Sequence, residues 1–132
     1  SLLKELKVNI AGLSIICSSC ESIAIRITDR IHKELGIPVV WGGPHASLLS
    51  EESLRYADFV CHGEGDIAAV DMIRKLEAGE KRIIVKNIWS KHGSDIIRTE
   101  SHPLMDLDPL PFPDFYQDHK YYINQNQTPL SF

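Results

Sequence analysis

The sequence predicts an α/β protein with a doubly wound, mostly parallel sheet and helices on both faces, three layers in all. Three observations predict it. Short apolar runs alternate with longer segments of helical periodicity. The leading runs are nearly continuous rather than alternating, as in strands covered on both faces. The second and third runs end in paired or near-paired glycines, the punctuation expected where a strand turns into a helix.

Residues 10–17 (IAGLSIIC) read as the first strand. Ser18 offers an N-cap, and Glu21 lies three residues on, a capping-box spacing. Ile23, Ile27, Ile31 and Leu35 then recur every four residues beside Ala24, the apolar stripe of an amphipathic helix. Gly36 stops it and Pro38 follows. Residues 37–41 (IPVVW) are the second strand, broken at Gly42-Gly43-Pro44. Ser50, Glu51 and Glu52 open a short helix with acids in its first turn, where they suit the dipole. Residues 59–62 (FVCH) are the third strand, broken at Gly63-Glu64-Gly65. Asp66 caps a helix whose apolar face is Ala69, Val70, Ile73 and Leu76, closed by Gly79. Residues 83–88 read as a fourth strand and 95–98 as a short fifth, an antiparallel edge. Short connections of this kind imply right-handed crossovers.

The α/β domain spans residues 1–101. After it the character changes. Pro103, Pro109, Pro111 and Pro113 forbid regular structure, with Leu104, Leu107 and Leu110 between them. Residues 102–132 read as a Pro-rich linker that lies against something apolar, with an aromatic and polar end that is loosely held or belongs to a further domain.

Composition narrows the class. A net charge of -4 gives no basic footprint for nucleic acid or for an anionic membrane surface. No apolar run approaches a membrane span and the first residues carry no secretory pattern. Cys17, Cys20 and Cys61 are too few, and odd in number, for a disulfide scaffold; a reducing, cytoplasmic setting is expected.

Ligands of parallel α/β sheets bind beyond the carboxyl ends of strands. There the sequence places Ser14, Cys17, Ser18 and Ser19, then Gly42, Gly43, Pro44 and His45, then His62, Gly63, Glu64 and Gly65. Glycines allow positive φ and let a ligand approach the backbone, or they simply make tight turns. Two such loops at one sheet edge favour a crevice. Gly63-Glu64-Gly65 is a poor dinucleotide fingerprint, because Ala68 takes the third glycine position and Glu64 and Asp66 oppose a pyrophosphate. A P-loop and a nucleophile elbow are absent. Cys17-Ser18-Ser19-Cys20 is a C-x-x-C at a helix start, open to three readings: a redox pair, part of a metal site with His45, Cys61 or His62, or small residues packed near a loop. Acids near the third strand read as caps, His32 as a solvated last-turn residue and Trp41 as core.

Two runs carry a resemblance. Val39-Val40-Trp41-Gly42-Gly43-Pro44-His45-Ala46-Ser47 and Asp58-Phe59-Val60-Cys61-His62-Gly63-Glu64-Gly65-Asp66 resemble the V-x-G-G-P-H-A-S/T and D-x-V-x-x-G-E-G-E/D pattern of the cobalamin-binding module of cobalamin-dependent radical S-adenosylmethionine enzymes. Upstream, Ala11-Gly12-Leu13-Ser14-Ile15-Ile16 is similar to the strand with that family's S-x-L element. Downstream, Leu107-Asp108-Pro109-Leu110-Pro111-Phe112-Pro113-Asp114 is similar to its L-x-x-L-P-x-P-D lead into the barrel. Some such proteins are anaerobic magnesium-protoporphyrin ester cyclases, others methyltransferases. The resemblance implies a Rossmann-like fold that lacks its first strands here, and cobalamin with its nucleotide tail at the sheet's carboxyl edge. Ser14 would hydrogen-bond the tail, Gly42 and Gly43 with Pro44 and His45 would let it pass the second strand, and Gly63, Glu64 and Gly65 would line the far side. The implied partner is a radical S-adenosylmethionine domain of the same chain, which would hold the iron–sulfur cluster and S-adenosylmethionine. The D-x-H-x-x-G cobalt-ligand motif and the C-x-x-x-C-x-x-C cluster motif are absent, so no catalytic residue is assigned. The alternative is an interaction domain of the same fold without the cofactor.

Overall fold

The computed structural model describes residues 2–104, 106, 108–112, 122–123 and 129–130. After a short α1 (Leu2–Glu5), the chain forms β1 (Ala11–Ser14), a 3-10 turn (Ser18–Cys20), α2 (Glu21–Leu35), β2 (Val39–Gly42), α3 (Gly43–Leu48), α4 (Ser50–Ser53), β3 (Phe59–Cys61), α5 (Asp66–Glu77), β4 (Ile88–His92) and β5 (Asp95–Ile97). Tyr122–Ile123 (β6) and Pro129–Leu130 (β7) pair antiparallel with each other.

The main sheet is open and mixed, in the order β1-β2-β3-β4-β5. β1, β2 and β3 are parallel, and β4 and β5 are added antiparallel. The expectation of a mostly parallel sheet therefore holds only for its first three strands. The reason lies after α5. Twelve helical residues carry the chain about 18 Å back from the carboxyl edge. Residues 80–87, which hold most of the fourth strand expected over 83–88, climb back without joining the sheet: Ile83 and Val85 are buried while their neighbours are exposed, and only an isolated bridge links Val85 to Ile88. Asn87 then reverses the chain at φ 64, a left-handed conformation that asparagine tolerates better than most residues. Strand β4 descends from there.

Partners in a ladder share a face, so the register divides the core in two. Leu13, Val39, Trp41 and Val60 pack with Ala24 and Ile31 of α2, Ala46 of α3, and Leu54 and Ala57 beyond α4. Val40, Phe59, Cys61 and Ile88 pack with Ala68, Met72 and Leu76 of α5 and with Ile83 and Val85. Trp41, expected as core, is fully buried and stacks on Tyr56 at 5.8 Å between ring centroids.

Several local expectations are corrected. Ser18 does not cap α2; the helix begins at Glu21, with Cys20 before it and no side-chain cap bond. The buried residues of α2 are Ala24, Thr28 and Ile31, while Ile23 and Ile27 of the expected stripe are 58% and 41% exposed. The α5 face is likewise rotated: Ala68 and Met72 are buried, Val70 and Ile73 exposed. Gly65 precedes α5, and Asp66 makes no cap bond. Helix begins directly after β2, because Gly43-Pro44 starts α3 with proline in its first turn, where the missing N–H costs nothing. His32 is not simply solvated; its Nε2 meets Asp58 Oδ2 at 2.8 Å. Asp58 also accepts from Val39 N at 2.8 Å, so it ties α2 to the start of β2.

Among the described residues of 102–112 there is no helix or strand, as the prolines require, and Leu104 and Phe112 stand in solvent. The remainder of the expected linker, including Leu107, Pro113 and Asp114, lies outside the described residues apart from β6 and β7. No helix among the described residues is long and apolar enough to cross a membrane.

Candidate functional site

The carboxyl ends of β1, β2 and β3 share one edge, since the three strands are parallel. That edge brings the singled-out loops together. Gly63 N donates to Ser47 Oγ at 3.0 Å, which ties the loop after β3 to α3. Ile15 N donates to Gly42 O at 2.8 Å, and His45 N to Ile15 O at 3.1 Å, which tie α3 to the end of β1.

The glycines at this edge do different things. Gly43 has φ +88, and a Cβ there would lie 2.8 Å from Ile15 O and 3.0 Å from Ser14 Oγ. Its missing side chain makes room for the protein's own backbone. Gly42 is extended (φ -142), and a Cβ would find ordinary contact with Cys61 Cβ at 3.8 Å. Gly63 has φ +86, which a side chain would strain. A Cβ at Gly65 would find ordinary contact with Cys61 Sγ at 3.6 Å.

The register adds a residue that the motif reading missed. Gly12 pairs with Val40, and Ser14 with Gly42, so all four share the α5 face of the sheet. Gly12 and Ser14 are exposed and Gly42 is half-buried. β1 pairs only with β2 among the described strands, leaving its other edge open. The result is a trough beside α5 whose floor is Gly12, Ser14 and Gly42 around the single larger side chain of Val40, with Gly65 at the helix start. Toward the amino end the same face opens into a pocket of about 510 Å³ between Ile10, Pro38, Ile73 and Leu76. An isolated glycine inside a strand was the available signal for Gly12.

His45 is buried, with Nδ1 3.2 Å from Ser18 Oγ and Nε2 3.4 Å from Glu21 Oε1. A ring protonated at Nε2 donates to Glu21 and accepts from the Ser18 hydroxyl. His45 thus anchors the turn after β1. Pro44 is exposed beside it in the first turn of α3. The Glu64 side chain is exposed, while its carbonyl accepts from Asn87 Nδ2 at 2.8 Å. Asn87 also accepts from His102 N at 2.7 Å through Oδ1, and a pocket of about 160 Å³ lies between Glu64, Ile67, Asn87, His102 and Pro103. His62 belongs to this second region: its ring meets Trp89 edge-on and Nε2 lies 3.2 Å from Thr99 O.

The three cysteines separate by environment. Cys17 Sγ lies 3.0 Å from Ser19 Oγ and 3.5 Å from Cys20 Sγ, with both cysteines exposed. Hydrogen bonds from Ser19, then Cys20, hold the Cys17 thiol below its ordinary range. Cys61 is buried, and burial pushes its thiol up, with the charges of Asp66 and Glu64 adding to the effect. Among the described residues no three His, Cys, Asp or Glu side chains converge as metal ligands. No family, curated protein or solved structure matches this chain.

Proposed function

We propose that the chain is the cobalamin-binding module of a radical S-adenosylmethionine enzyme of the cyclase or methyltransferase type. On this reading the sheet is part of a doubly wound, Rossmann-like sheet in which β1 is an inner strand. The observation that carries it is the run of small residues Gly12, Ser14 and Gly42, broken only by Val40, at the carboxyl edge on the α5 face. A nucleotide tail needs a slot where backbone can be approached closely, and these residues offer one. The fit is to this trough rather than to Gly43, whose space Ile15 takes, or to His45, whose ring is already bonded.

In that role the Ser14 hydroxyl hydrogen-bonds the tail. Gly12 and Gly42 let it lie flat, and Gly63, Glu64 and Gly65 bound the far side. When bound, the cofactor supplies a cobalt centre next to the radical site. The iron–sulfur cluster and S-adenosylmethionine belong to a barrel domain of the same chain, reached through the Pro-rich segment.

Two observations favour a second reading, an interaction domain without cofactor: His45 and Gly43 are both committed to holding β1 to α3. Titration with hydroxocobalamin separates the two. The first reading expects a saturable change in the visible spectrum that is lost in Gly42→Val, where the extended backbone accepts a Cβ in ordinary contact and circular dichroism checks that the variant is folded. A native chain that shows no saturable change, or a Gly42→Val chain that binds as before, gives the site to the second reading.

A further inference from the structure

Cys17 and Cys20 lie at the start of α2, outside the trough floor, and the cofactor reading makes no use of them. Their sulfurs are 3.5 Å apart in a C-x-x-C turn, and both cysteines are exposed. A disulfide needs about 2 Å between sulfurs, so the two already lie close to bonding distance. The turn is also held in place. Ser18, between the two cysteines, is bonded to buried His45, and Cys20 N donates to Cys17 O at 3.0 Å. The thiols are therefore presented as a pair rather than as two wandering side chains.

We propose that Cys17 and Cys20 form a reversible dithiol–disulfide couple that exchanges with an accessible disulfide. Cys17 is the attacking sulfur, because Ser19 and Cys20 both hydrogen-bond it and favour its thiolate. The Cys17 thiolate attacks one sulfur of R–S–S–R, forms the mixed disulfide and releases one RS⁻. Cys20, having lost its proton to solvent, attacks Cys17 Sγ and releases the second RS⁻. The dithiol is oxidised by two electrons and the incoming disulfide is reduced to two thiols. Cys61, buried beneath Gly65, takes no part.

The full 132-residue chain tests this. It is equilibrated in mixtures of reduced and oxidised glutathione, and in parallel with an oxidised protein of the thioredoxin class. Free thiols are then trapped and the intact and peptide masses read. Expected is a species two hydrogens lighter, with the bond mapped to Cys17–Cys20 and Cys61 still free. Cys20→Ser is expected to stop at a mixed disulfide on Cys17, and Cys17→Ser to lose closure, while Cys61→Ser leaves closure unchanged. Exchange in the glutathione arm names a small-molecule disulfide, and exchange in the protein arm alone names a protein. Closure in neither arm, adducts that accumulate on native Cys17 without closing, or a bond that includes Cys61 would overturn the proposal.

Discussion

Trp41 Nε1 donates to Thr28 Oγ1 at 2.9 Å, which joins the centre of β2 to the middle of α2 where neither side chain meets solvent. This bond selects the face that α2 turns inward. An indole N–H buried without an acceptor is costly, so the helix presents Thr28 rather than Ile27 to the sheet.

Thr28→Val keeps the shape and removes the acceptor. It is expected to destabilise the chain by about 1–3 kcal/mol, the cost of an unsatisfied buried donor. Thr28→Ser keeps the bond and loses one methyl, about 1 kcal/mol. Urea unfolding ranks the two, and a valine variant as stable as the serine one would remove the bond as the anchor.

Gly43 and Gly79 both have positive φ, but only Gly43 is crowded. Gly79→Ala is expected to cost about 1 kcal/mol from backbone strain alone. Gly43→Ala adds an overlap with Ile15 O and is expected to cost about 3 kcal/mol or more. Thermal midpoints of the two variants check the order. Equal losses would mean that the end of β1 yields readily.

Asn87 holds residues 99–102 to the end of β3. Its side chain bonds Glu64 O and His102 N, and its backbone N donates to Glu100 O at 3.0 Å. Asn87→Ala is expected to lose about 1–3 kcal/mol and to speed proteolysis between residues 99 and 104. Mass analysis of the first cleavage products reads this directly. Unchanged cleavage there would show that Trp89 and Thr99 hold the segment by themselves.

The thiols should titrate in opposite directions. Cys17 is expected to react with iodoacetamide at lower pH than an ordinary thiol, and Cys61 only at higher pH. Cys61 also couples to stability. Its folded-state value lies above its unfolded one, so the folded chain keeps a proton that the unfolded chain gives up. Stability is full below the ordinary thiol range and falls as pH rises through it toward the raised value. Cys61→Ala is expected to flatten that decline in urea unfolding followed across alkaline pH, and an unaltered slope would assign it to other groups.

The residues alone determined the class of the protein and the order of its early elements. Apolar runs at β1, β2 and β3, the helical period of α2 and α5, and the glycines at 36 and 79 were all local signals, and local signals survive in the sequence, although β1 is covered on one face only, with Gly12 and Ser14 exposed. The motif loops were also legible as neighbours at one edge. Tertiary structure alone decided three things. It chose which flank of α2 is buried, because an inward-facing Trp41 needs the Thr28 hydroxyl, and it rotated α5 to bury Ala68 and Met72 against the other face. It turned the expected fourth strand into a covering segment, because Asn87 reverses the chain before β4. It also divided the glycines by role, Gly43 for the protein's own backbone and Gly12 with Gly42 for an open floor. Such roles depend on which atoms lie across the gap, and those atoms come from strands far apart in the chain.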